Sequence, residues 1–101
     1  MSKRLVVTGP ARRDLRNIQR FISRSSPVAA ESFVRDLADK MRWIAEVEFT
    51  GSPRDHLSQG LRALPCRSRT IYYRHDDTSV RILRVMHDAQ NVDPTDFERP
   101  A

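Results

Sequence analysis

LRALPCRSRTIYYRHDDTSVRILRVMH, from Leu61 to His87, decides how this chain folds. Thr70, Ile71, Tyr72, Tyr73, Val80, Ile82 and Val85 are β-branched or aromatic residues that suit a pleated sheet, and Pro65 and the polar run His75 to Ser79 punctuate them. The pattern predicts three short strands with a hairpin across His75 to Ser79. Alternation along a strand places Val80, Ile82, Arg84 and Met86 on one face and Arg81, Leu83, Val85 and His87 on the other. Arg84 therefore falls in an apolar row. There it must find a partner or line a groove, because an unpaired buried charge costs several kcal/mol.

Upstream of this segment the period changes. Arg4 to Thr8 is a strand candidate, after which Gly9 and Pro10 supply a stop and a first helical position. Ala11, Leu15, Ile18 and Ile22 recur at helical spacing, with Arg12, Arg13, Arg16, Arg20 and Arg24 on the remaining surface. Ser26 is an N-cap candidate and Pro27 a first helical residue for a second helix, whose buried stripe is Ala30, Phe33, Leu37, Met41 and Ile44. Trp43 lies off that stripe, and the helix is expected to end near Glu48. Phe49 to Gly60 carries Gly51, Pro53 and Gly60 with no lasting period, which predicts a loop. The fold class is α+β: an N-terminal strand, a helical hairpin and a three-stranded antiparallel segment, forming one mostly antiparallel sheet with both helices on one face. The connections after Leu61 are too short for parallel crossovers.

The chain has 101 residues, of which 39% are hydrophobic, enough for a modest core and a single domain over residues 1–101. A formal net charge of +5 favours acidic partners, and sixteen of the eighteen basic residues are Arg, whose planar fork makes bidentate contacts that Lys cannot. Cys66 is the only cysteine, which removes any intramolecular disulfide and points to the cytoplasm. The apolar run in MSKRLVVTGP is far shorter than that of a signal peptide, and no stretch is long enough to span a membrane. His56, Cys66, His75 and His87 lack the paired spacing of metal sites, so no metal and no cofactor is expected. There is no Walker-type phosphate loop and no GxSxG elbow. The segment from Asp88 to Ala101 holds four acidic residues and a single base, Arg99, and makes a tail that either folds back on the basic body or stays disordered.

GPARRDLRNIQRFI at Gly9 to Ile22, SPVAAESFVRDL at Ser26 to Leu37, GLRALP at Gly60 to Pro65 and IYYRHDDTSVRILRVMH at Ile71 to His87 follow one another in an order that resembles the RelE/ParE superfamily of type II toxin–antitoxin toxins, ParE more than RelE. The groups Asp14, Leu15 and Ile18, then Gly60, Leu61 and Arg62, then Tyr73 and Arg74, then Arg84, Val85 and His87 carry the ParE-like pattern. After the histidine such chains commonly have a small residue and an Arg-Asp pair, whereas Asp88, Ala89, Gln90 and Asn91 stand here.

The resemblance implies a toxin held inactive in a hetero-oligomer by a cognate ParD-like antitoxin, whose acidic flexible segment wraps the basic toxin. In the ParE branch the toxin is a binding protein that poisons DNA gyrase. In the RelE branch it is an endoribonuclease acting on messenger RNA at the ribosome. Metal-free RNA cleavage needs a base, an acid and cations held together. Arg62, Arg84 and His87 are the candidates for such a site, but no Lys follows Lys40, no Glu lies between Glu48 and Glu98, and Arg is too basic to serve as the base. The expected reading is therefore target binding without catalysis, through Arg62, Tyr73, Arg84 and His87. Each has a structural alternative: Arg84 can pair with Asp14 or another acid to brace the sheet against the helices, Arg62 can guard a strand edge, His87 can end a strand on a backbone carbonyl, and one of Tyr72 and Tyr73 belongs to the core.

Overall fold

A computed structural model describes residues 2–88 and 90–97. Strand β1 (Arg4–Val7) leads into helix α1 (Gly9–Ser23), and α2 (Pro27–Val47) follows after a tight turn. Four further strands come next, β2 (Ser52–Pro53), β3 (Arg62–Cys66), β4 (Arg69–His75) and β5 (Ser79–His87), and then a 3-10 turn at Pro94–Phe97. The five strands form one sheet in the order β1-β5-β4-β3-β2, with β1 parallel to β5 and every other pair antiparallel. Two-residue β2 lies within the stretch expected to be a plain loop, pairing Ser52 with Ala63 and Pro53 with Arg62.

Both helices start as their caps dictate. Thr8 and Ser26 are extended N-caps whose hydroxyls accept the amides of Ala11 and Ala29, and a proline occupies the first turn of each helix, where an N–H would go unused. Along α2 the buried residues are Ala30, Phe33, Leu37, Met41, Ile44 and Ala45, and along α1 they are Ala11 and Ile18. These side chains meet Ile71, Tyr73, Val80, Ile82 and Val85 in one core on the helical side of the sheet. A second, smaller core on the other side joins Leu61, Ala63, Tyr72, Met86 and Phe97. The sheet is thus covered on both faces, by the helices on one and by the C-terminal turn on the other.

Two sequence expectations change within the sheet. Pro65 does not separate strands: it sits inside β3 opposite Thr70, beyond the reach of β2, so its missing N–H faces an open edge. The chain reverses instead at Arg67 and Ser68, both at positive φ. The strict alternation expected along β5 also fails, because Tyr73 pairs with Ile82 while Tyr72 pairs with Arg84. Leu83 is the extra residue of a β-bulge, and it shifts the faces by one. Val85 then joins Val80 and Ile82 in the helical core, while Met86 turns to the second core. The bulge is stitched by the start of α1: the Thr8 hydroxyl donates to the carbonyls of Ile82 and Leu83 at 2.7 and 3.3 Å.

Candidate functional site

Arg84 follows the bulge and is held from two sides. Its Nε and Nη2 donate to the two carboxylate oxygens of Asp14 on α1 at 2.7 and 2.9 Å, and Nη1 reaches Asp96 of the C-terminal turn at 3.4 Å. Asp14 also accepts the amide of Val85 at 2.9 Å, an N–H left open because β1 stops opposite Ile82. The hydrogen bonds that Arg84 donates to Asp14, more than the bare charge of that carboxylate, raise the Arg84 pKa above its ordinary value. Of the two roles open to Arg84 in the sequence, the contacts made are those of a brace.

Tyr73 was expected on the target-binding surface, and the structure corrects this. It is 0% exposed, inside the helical core, and its hydroxyl donates to the carbonyl of Phe49 at 3.1 Å. Burial pushes its pKa up to about 12. Gly51 passes directly over it: at φ +68°, an added Cβ would lie 2.2 Å from the Tyr73 hydroxyl oxygen, so only glycine fits. The same Phe49 carbonyl accepts from Nε2 of His75 at 2.7 Å, while Nδ1 of His75 takes the Lys3 ammonium at 3.3 Å. Tyr73 and His75 together pin the exit of α2 to the sheet.

Arg62 is half-buried on β3, opposite Tyr73. His87 is exposed at the end of β5 opposite Arg69, and its amide donates to the Gln90 side chain at 3.3 Å. Arg62 and His87 are thus separated by the four residue steps of β4 from Arg69 to Tyr73, about 13 Å along the strand direction. The four residues picked from the sequence do not converge: one is core, one is a brace, and two stand at opposite ends of the sheet. No cluster of His, Cys, Asp or Glu able to hold a metal occurs among the described residues. None of the described helices is long and apolar enough to cross a membrane.

The tail is ordered through the described residues. Phe97 is buried against Tyr72 with ring centroids 5.0 Å apart, and Asp93 and Asp96 cap the 3-10 turn by accepting the amides of Thr95 and Asp93. Residues 98–101 of the expected acidic tail, and Ala89, lie outside the described residues.

The helical hairpin carries the large apolar side chains that stay in solvent. Phe21, Val28, Trp43 and Val47 are exposed, with Trp43 packed on Phe49 at 4.9 Å. Between α2 and the β3–β4 turn, a shallow cleft is lined by Trp43, Lys40, Asp36 and Cys66, and burial pushes the Cys66 thiol up. Arg67 closes one side, its guanidinium 2.6 Å from Asp36 and stacked over Phe33.

This architecture matches known proteins. The family model of the ParE toxin of the type II toxin–antitoxin system parDE matches residues 5–92. The chain belongs to the ParE toxin family. Among solved structures, a chain of the chromosomal ParDE TA system from P. aeruginosa superposes with a TM-score of 0.72 at 22% identity, covering 85% of this chain and 96% of that one. A chain of the toxin–antitoxin complex RelBE2 from Mycobacterium tuberculosis gives a TM-score of 0.61 at 26% identity, covering 89% and 95%. No match is found among curated proteins. Within this ParE frame Asp14 and Arg84 are a pair, the structural alternative that the sequence offered for Arg84.

A cluster that the sequence reading did not single out is the basic groove beside the N-terminus of α1, where Arg13, Arg74 and Arg81 meet. Its signal was present in RHDDTSVR, Arg74 to Arg81. A hairpin closed over this turn sets the two arginines directly opposite one another, but only once the register is known.

Proposed function

We propose that this ParE family member arrests growth in the cytoplasm by binding DNA gyrase and trapping cleaved DNA, without hydrolysing a substrate itself, and that a cognate ParD-like antitoxin neutralises it in a hetero-oligomer. The observation that carries binding over cutting is the dispersal of the candidate catalytic set. Within that set His87 is the acid or base, and it lies about 13 Å along the sheet from Arg62. Arg84 is taken by Asp14. General acid–base cleavage of RNA needs these groups within hydrogen-bond reach of one phosphate.

The antitoxin reading rests on the helical hairpin. Exposed Phe21, Val28, Trp43 and Val47 sit on helices whose outer surface also carries Arg12, Arg16, Arg20 and Arg24. An acidic segment that folds on binding would bury the apolar side chains and gain fast association from the charges.

The test is to purify the chain free of antitoxin and measure gyrase supercoiling and trapped cleavage complexes, beside primer extension on messages under translation. Loss of supercoiling with accumulated cleaved DNA is the expected result. Intact gyrase activity with messages cut at the ribosome would replace this reading by the RelE-like endoribonuclease one.

A further inference from the structure

On the face of the sheet away from the helices, a groove of about 750 Å³ opens between the start of α1, the β4–β5 hairpin and the C-terminal turn. Arg13 of α1, Arg74 of β4 and Arg81 of β5 line it. Arg74 and Arg81 are direct cross-strand partners. Like charges in that position destabilise a sheet, their Cβ atoms being about 5 Å apart, and a folded chain gains nothing from them unless an anion joins them.

The acids at the groove make no ion-pair contact with these arginines, although the charge of Asp76 is felt at Arg81. Asp76 accepts the amides of Thr78 and Ser79 and the hydroxyl of Ser79 at 3.0, 2.8 and 2.7 Å, so it serves to close the hairpin turn. Asp96 accepts from Arg84 and from the amide of Asp93. Among the described residues, Arg13 and Arg81 are exposed with no hydrogen bond or ion pair, and the buried Nε of Arg74 has no partner although one terminal nitrogen donates to Ser58. The first turn of α1 contains no acidic residue, so the positive end of the helix adds to the same field. Pro10, Leu83 and Phe97 give the groove an apolar wall.

From this arrangement we propose that the groove holds the phosphodiester backbone of a nucleic-acid strand. Guanidinium forks grip phosphate oxygens in bidentate pairs, and the side-by-side arginines of β4 and β5 suit neighbouring phosphates along one strand. The apolar wall suits sugar and base edges, which a string of carboxylates would not use. The site does not depend on gyrase being the target, since it is defined by the toxin's own residues.

The experiment uses the full chain and fluorescence anisotropy with a labelled 20-nucleotide single strand and the matching duplex, across a salt series. Arg13→Ala combined with Arg81→Ala removes two exposed charges and is expected to weaken binding to the preferred probe at least tenfold, with the salt slope reduced by about 1.5 to 2. Arg20→Ala combined with Arg24→Ala removes the same charge from the far end of α1 and is expected to change binding less than twofold. Equal loss in both double variants would overturn the proposal in favour of unlocalised charge attraction. Unchanged binding in the Arg13/Arg81 variant would overturn it outright, as would displacement of the oligonucleotide by polyglutamate as readily as by an unlabelled strand.

Discussion

Asp14 accepts three hydrogen bonds from β5, two from the Arg84 guanidinium and one from the Val85 amide. Removing it leaves a half-buried guanidinium with only the 3.4 Å contact to Asp96 and strands a sheet N–H at once, while removing Arg84 leaves a carboxylate that still accepts one amide. Asp14→Ala should therefore cost more than Arg84→Ala, about 3 against about 2 kcal/mol. Thermal melts should show Tm falls of roughly 15 and 10 °C. Arg84→Ala that abolishes growth arrest with an unchanged Tm would restore the contact role and sink the brace. Tyr73 offers a second check. Its folded pKa of about 12 exceeds the value near 10 expected in an unfolded chain, so the folded state binds the proton more tightly. The stability it lends is complete below pH 10 and is lost as pH climbs through 12. Tyr73→Phe removes the hydrogen bond to Phe49, costs about 1 kcal/mol at neutral pH, and should flatten the alkaline loss in denaturation curves taken from pH 9 to 12. An equally steep alkaline loss in the variant would assign it to other groups. That Arg84 needs a partner was legible in the sequence, although the bulge at Leu83 takes it out of the row of Val80 and Ile82 in which alternation had placed it. Tyr73 and Tyr72 were not separable, since alternation says that they face opposite sides and not which side holds the larger core.

The elements themselves were legible where capping and period agree. Ser26 with Pro27, and the stripe from Ala30 to Ile44, carry enough local information to set α2 before any tertiary contact is known. The β5 bulge was not legible, because nothing local distinguishes Leu83 from its neighbours; it is imposed by Thr8 and Asp14, about seventy residues earlier in the chain. The β3–β4 turn was hidden for a related reason. Arg67 and Ser68 take φ of 52° and 63°, a left-handed pair that hairpins normally fill with Asn and Gly. Arg67 is held there by Asp36 and the Phe33 ring, so a tertiary anchor replaces the usual turn chemistry. Among the described residues the Ser68 hydroxyl takes only a 3.3 Å contact from Arg69, and the Ser68 carbonyl that accepts the Asp88 amide is kept by glycine. Ser68→Gly should thus relieve the strained backbone and stabilise by about 0.5–1 kcal/mol, raising Tm by a few degrees. A lower Tm would mean that the Ser68 hydroxyl contributes more than the strain costs.

At the scale of the molecule, the sheet is a partition between two cores of unequal strength. The helical core is built from long continuous elements, whereas the second core closes only when the C-terminal turn lays Phe97 on Tyr72 and Met86. The charges follow the same division, with Asp96 drawn to Arg84 beside the basic groove. Phe97→Ala removes most of the lid's apolar area, and with the ring 6% exposed the cost should approach 3 kcal/mol. Melting should fall by roughly 15 °C, and binding of a hydrophobic dye should rise as Tyr72 and Met86 are uncovered. Phe21→Ala deletes a ring of the same size from the outer side of α1, where it is 65% exposed, and should leave Tm within about 1–2 °C while weakening capture by an antitoxin segment. The two variants separate the surfaces. If Phe97→Ala left Tm unchanged, the C-terminal turn would be a detachable flap, and the far face would present Leu61, Tyr72 and Met86 to a partner in place of a closed core.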